Sequence, residues 1–286
     1  MTRTKLKDRQ LPNYSKNEEL FNMVSHIVGG AVGIAGIVLC IIRSVLNHNG
    51  FGLAGSIVFG VSMILLYTVS SVYHGLHASM GKRVMQVVDH CTIYVLISGT
   101  YTPLLLSAMR PIDPVASWVL FGIVWALAAV GIAFTAIDLN KYKVFSMVCY
   151  MAIGWCIIFK LPLLISAIGW GGFALILGGG IFYTIGAILY GKGREKPFMH
   201  CVFHVFVILG SICHILAILL FALEGVSPSP AGEGDFFCTW AEQMIWKTGK
   251  AMTLVLSGWH KNKRINCAIC VKNMKSNGCV CQNEVI

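Results

Sequence analysis

Charge is scarce in this sequence: Asp, Glu, Lys and Arg together make up 12% of its 286 residues, while 56% are apolar. A soluble globular domain carries about 25% charged residues, so the scarcity excludes a chain that covers its surface in water. No cleavable leader is expected either. The first 20 residues are polar, with Arg3, Lys5, Lys7, Arg9 and Lys16, and the apolar run that follows is too long for a signal peptide. Basic residues are also lacking from alternate connections between the apolar runs. Residues 47–51 and 166–170 have none, and Arg110 is balanced by Asp113.

Against that background the long apolar runs organise the chain. A bilayer core about 30 Å thick takes roughly 20 apolar residues per helix, and seven runs are long enough: 22–46, 52–76, 87–109, 114–136, 144–166, 169–190 and 199–223. Short connections make neighbouring spans antiparallel. The other connections are basic, with Lys82 and Arg83, Lys141 and Lys143, and Lys192, Arg194 and Lys196. By the positive-inside rule these loops and the N-terminus are cytoplasmic. The expected fold is all-α: a polytopic seven-transmembrane-helix bundle with a segment 1–21 before it and a tail 224–286 after it. The net charge of +10 is spread over membrane-flanking loops and the tail, which fits anionic lipid rather than nucleic acid. Within the spans, Lys160 is expected to snorkel to the outer interface. The Gly29-x3-Gly33 pair is expected to mark a close helix contact.

Ionisable groups at membrane depth are the informative exceptions, because each costs about 2.5–3.5 kcal/mol to insert. His200 and His204 are four apart and share a helix face, as do Ser70 and His74. The end of span 2 and the starts of spans 3 and 7 lie on the cytoplasmic side, so His74, Asp89, His200 and His204 reach one depth. Three histidines make a zinc site with an open fourth position, and a nearby carboxylate can orient a water or take its proton. Asp89 fits that role, with Ser70 in support. A hydrogen-bond network joining spans 2, 3 and 7 is the competing explanation. His214 lies ten residues after His204, about 15 Å along a helix, too far to share its metal. It is expected to make a buried contact between helices. His26, His77 and His90 could compete as ligands, but each is more often a hydrogen-bonded interfacial histidine.

Ser70-x3-His74, Asp89-His90-Cys91-Thr92-Ile93-Tyr94, Gly99-Thr100-Tyr101-Thr102-Pro103 and His200-x3-His204 followed by His214 resemble the hemolysin III family. That family belongs with the adiponectin and progestin membrane receptors, and the resemblance runs from about residue 17 to 223. The polar leader and compact loops look more like its bacterial members. The resemblance implies a seven-helix fold with its N-terminus inside. It also implies zinc held by His74, His200 and His204, with Asp89 and Ser70 beside it. Alkaline ceramidases share the superfamily, which implies hydrolysis of a lipid amide.

The expected function is therefore zinc-dependent hydrolysis of a lipid amide or ester in the plasma (cell inner) membrane. Membrane lipids would be the partners and Asp89 the general base. Two other readings stand beside it: a non-catalytic receptor with structural zinc, and a pore-forming hemolysin. A pore needs a continuous polar stripe, whereas the polar groups are expected at one end and spans 4 to 6 have almost no charge. After residue 223 the pattern changes. Residues 225–232 read as a linker, and 236–259 as an amphipathic interfacial helix. The set Cys267-x2-Cys270-x8-Cys279-x-Cys281 resembles a zinc knuckle only loosely.

Overall fold

The computed structural model describes residues 4–192, 196–223, 256–260 and 263–267. The chain divides into two units, Met1–Ser227 and Pro228–Ile286. The first is helical: α1 Lys16–Leu46, α2 Gly50–Gly75, α3 Met80–Pro103, α4 Pro114–Ile137, α5 Lys143–Trp155, α6 Leu161–Lys192 and α7 Met199–Ala217. π-Helical turns Leu104–Met109 and Ile218–Ala222 extend α3 and α7.

Local chemistry sets the starts of these helices. Ser15, Asn49, Ser79 and Asp113 each accept a backbone N–H from the first turn of α1, α2, α3 and α4 in order. Such caps satisfy donors that a helix start leaves open. Pro114, at the first position of α4, has no N–H to satisfy.

Among the described residues, six helical stretches are long and apolar enough to cross a bilayer, and the longest is 49 residues, from Lys143 to Gly191. Straight, it would reach about 74 Å at 1.5 Å per residue, more than twice a bilayer core. It is not straight. Gly169 has φ 66° and ψ 176°, a conformation open to glycine and strained for other residues. The Trp155 indole donates to the Thr184 hydroxyl at 3.0 Å. A Cβ on Gly191 would meet the Met147 methyl at 3.7 Å. Both pairs are symmetric about position 169, so the chain doubles back there. The runs expected at 144–166 and 169–190 are antiparallel neighbours, and the first unit makes seven passes.

The bundle is apolar outside as well as inside. Ile27, Ile34, Val38 and Ile42 of α1 and Val119, Ile123, Leu127 and Val130 of α4 are exposed, whereas Phe59, Met63, Tyr67, Tyr94 and Leu105 are buried. Lipid-facing helices need this, since no water is present to reward polar side chains. Small residues bring the helices together. A Cβ on Gly29 would stand 2.6 Å from the Tyr67 ring, the close approach expected of the Gly29–Gly33 pair. Lys160 is exposed at the end of a 3₁₀ turn.

Polar groups are not confined to one end, which corrects that expectation. The Tyr67 hydroxyl donates to Ser211 Oγ at 2.7 Å, Tyr183 Oη lies 2.8 Å from the same oxygen, and the His214 ring donates to the Ile176 carbonyl at 3.2 Å. Most of these groups are neutral hydroxyls, which a survey of charge passes over.

In the second unit, β1 Leu256–His260 and β2 Lys263–Cys267 form an antiparallel pair with Leu256 opposite Cys267. The helix expected over 236–259 therefore fails at its end, where Gly258 disfavours helix and Trp259 favours strand. The rest of that segment, the linker, and Cys270, Cys279 and Cys281 lie outside the described residues.

Candidate metal centre

Two adjacent acids at the start of α1 organise the site. Glu18 closes a capping box with Ser15, and its other oxygen accepts the Phe198 N–H at 2.7 Å. That bond holds the entry to α7 against α1, one residue before the helix begins. Glu19 turns the other way. Its Oε2 accepts from His74 Nδ1 at 2.7 Å and its Oε1 accepts from Lys82 Nζ at 2.6 Å. Lys82 also donates to the Leu76 carbonyl at 2.9 Å, which closes the turn between α2 and α3.

Three imidazoles meet beside these acids. His200 Nε2 lies 3.3 Å from His74 Nε2 and 3.1 Å from His204 Nε2. The three ligand atoms all fall within 4.8 Å of one another. Hydrogen bonds at the far nitrogens explain why Nε2 is the atom offered. His74 Nδ1–H donates to Glu19, which leaves an Nε2 lone pair. His204 Nδ1 lies 3.3 Å from Ser25 Oγ, and that hydroxyl donates to the Asn22 carbonyl at 3.0 Å. Ser25 is thus free to accept from His204, whose Nε2 also keeps its lone pair. Lone pairs this close repel unless a cation or a proton lies among them. Nitrogens on a tetrahedral ion with bonds of about 2.0–2.1 Å stand roughly 3.3 Å apart, so donor set and spacing both suit a metal ion.

Aromatic rings wall the cluster. Tyr14 stacks on His200 at 4.9 Å, His26 stacks on His204 at 3.7 Å, and Tyr73 meets His74 edge-on at 4.6 Å. His74 and His204 are buried and His200 is partly so.

Asp89 and Ser70 stand together beside this group. The Asp89 carboxylate lies within electrostatic reach of both Ser70 and His74. The Asp89 side chain keeps 16% of its exposure, and its Oδ2 is 3.8 Å from His90 Nδ1. His90 itself is turned away, bonded to the Gln86 carbonyl at 2.8 Å and the Tyr190 hydroxyl at 3.3 Å. His77 is exposed in the turn after α2. His214 lies deeper, in the contact expected of it. None of these three joins the converging nitrogens.

Sequence reasoning passed over Tyr14, Glu19, Asn22, Ser25 and Lys82. A signal for Glu19 was present. Two adjacent carboxylates, three and four residues after a capping serine and ahead of a membrane span, ask for partners.

A family model described as Haemolysin-III related matches residues 14–215. The chain is 35% identical over 210 residues to Hemolysin-3 of Bacillus cereus, covering 73% of this chain and 94% of that protein. To the Hemolysin-3 homolog of Bacillus subtilis (strain 168) it is 33% identical over 211 residues, covering 74% and 97%. Monocyte to macrophage differentiation factor of Homo sapiens is 28% identical over 169 residues, covering 56% of this chain and 67% of that one. The family match stops before the tail.

Proposed function

Because this chain belongs to the haemolysin III-related family, we propose that it is a zinc-dependent hydrolase of a lipid amide or ester, working in the plasma membrane near the cytoplasmic leaflet. His74, His200 and His204 would hold the ion. The observation that carries this is the convergence of three Nε2 atoms at 3.1 and 3.3 Å, with two of the far nitrogens engaged by Glu19 and Ser25. Zinc in such a site polarises a carbonyl and makes water acidic enough to lose a proton near neutral pH.

The chain's own residues would do the rest. Asp89 takes the proton from water as general base, and Ser70 holds its carboxylate in place. Glu19 fixes the tautomer and tilt of His74, and Lys82 offsets the charge of Glu19. Water adds across the acyl C–N or C–O bond, giving a carboxylic acid and an amine or an alcohol. The acyl chain lies between apolar helices.

Asp89→Asn tests this in the purified protein: turnover should be lost while the metal is retained. Stoichiometric zinc with no turnover across ceramides, phospholipids and acyl amides would overturn the hydrolase reading.

One observation favours a second reading, in which zinc is structural in a receptor or regulatory protein. α2 packs on α1 and α3, and α7 on α6 and α1, so an ion between His74 and His200 ties helices that have few other contacts. In that case His200→Ala lowers the melting temperature, and Asp89→Asn leaves every cellular phenotype of the protein intact.

A further inference from the structure

Two polar side chains next to the three histidines lack hydrogen-bond partners among the described residues. Asn22 is fully buried and His26 is 3% exposed. Asn22 Oδ1 and Nδ2, and both ring nitrogens of His26, have no hydrogen-bond partner among the described residues. They are four apart, so they share one face of α1. That face is turned toward the metal centre: the Asn22 carbonyl accepts from Ser25, which meets His204, and the His26 ring lies flat on His204 at 3.7 Å and 18°. The stacking also keeps His26 out of the ligand set, because its nitrogens point along its own plane and not at the three that converge.

A buried donor or acceptor left unpaired costs more than an ordinary hydrogen bond returns. Four such atoms in one patch of an apolar bundle are therefore a liability to the fold, of the kind that functional sites carry. The patch also has a definite chemistry. A carboxamide offers both an acceptor and two donors, and a neutral imidazole offers one of each. A guest that satisfies the patch must itself bring an N–H or O–H as well as an oxygen acceptor.

We propose that Asn22 and His26 form the polar subsite that seats the ligand's hydrogen-bonding group beside the three-histidine centre, and that Asn22 Oδ1 selects a group bearing N–H, a secondary amide over the matching ester. The proposal rests on the lipid-hydrolase reading above and chooses between its two substrate classes. An ester has acceptors only, so it leaves Asn22 Oδ1 buried and unpaired. Sites built to hydrogen-bond a donor discriminate against analogues that lack it.

The test uses the purified full chain in lipid nanodiscs, with N-methylpalmitamide and methyl palmitate as probes. Binding is read as the rise in melting temperature that each probe gives, and turnover as kcat/KM. The wild type should be stabilised more by the amide, and any turnover should favour it by about tenfold or more. Asn22→Leu should remove that preference, cutting amide binding far more than ester binding, with metal content retained. The same variant should melt no lower than wild type without probe, since it removes unpaired polar atoms and keeps the volume. A residue held for structure alone would melt lower.

Equal stabilisation of the wild type by the two probes overturns the proposal without any variant. So does an Asn22→Leu protein that loses both probes alike, or one that binds both as the wild type does, which is the result expected if buried water alone occupies the patch. The two readings fail separately. Asn22-dependent preference in binding, with turnover of neither probe, sinks the hydrolase and keeps the subsite. Turnover of both probes at equal efficiency does the reverse.

Discussion

Glu19 and His74 meet through a 2.7 Å hydrogen bond from imidazole Nδ1 to carboxylate Oε2. They lie on different helices, and the bond decides which nitrogen His74 presents to its neighbours. Carboxylate partners of metal-binding histidines fix the tautomer and raise ligand basicity, and losing one costs roughly 10–100-fold in metal affinity. Glu19→Gln should therefore weaken zinc binding by that factor, measured by competition with a chelating dye. An unchanged affinity would mean that the contact has no bearing on the ion.

Removing a ligand should go further. His204→Ala and His74→Ala should each abolish stoichiometric zinc in the purified protein, as read by elemental analysis. In wild type, free zinc at 100 times its Kd should add about 2.7 kcal/mol of stability, lost on chelation. Neither variant should respond to the chelator.

Helix contact makes its own prediction. A Cβ at Gly29 would fall 2.6 Å from Tyr67 Cε1, whereas at Gly30 the nearest atom is Tyr67 Cβ at 3.6 Å. The Tyr67 ring cannot swing away cheaply, because its hydroxyl is tied to Ser211. Gly29→Leu should cost about 1–3 kcal/mol, and Gly30→Ala should cost much less. Thermal unfolding in detergent separates them, and equal melting temperatures would refute the contact.

Asp138, just past the end of α4, gives the pH prediction. Its carboxylate accepts the Thr4 N–H at 2.8 Å and those of Asn140 and Lys141 at 3.1 Å. Burial pushes this carboxyl up, but the hydrogen bonds from Thr4, Lys141 and Asn140 outweigh it and hold it below the ordinary 3.8. A depressed carboxyl contributes stability above its unfolded value, and that contribution is lost as pH falls through the folded one. Melting temperature should drop on acidification below about pH 4, less steeply in Asp138→Asn. Identical slopes in the two proteins would rule this out.

Much of the molecule could be read without coordinates. Lipid imposes one rule, that backbone groups pair within the segment, so each long apolar run had to be a helix. The i, i+4 spacing placed His200 and His204 on one face for the same reason. Gly169 could be placed only as a loop between two runs. Its positive φ, and the doubling back shown by Trp155 and Thr184, emerged with the fold.

The sequence by itself determined the helices, their alternation across the membrane and the depth at which ionisable groups gather. All of these follow from hydrophobic length and periodicity, which are local. Only the tertiary structure decided which side chains meet. Glu19 came to His74, Ser25 to His204 and Tyr14 to His200 through the packing of α1 beside α2 and α7. Those contacts depend on how each helix is rotated about its axis, and close approaches at glycines such as Gly29 help to set that rotation. Long-range shape complementarity of this kind leaves no periodic trace in the chain.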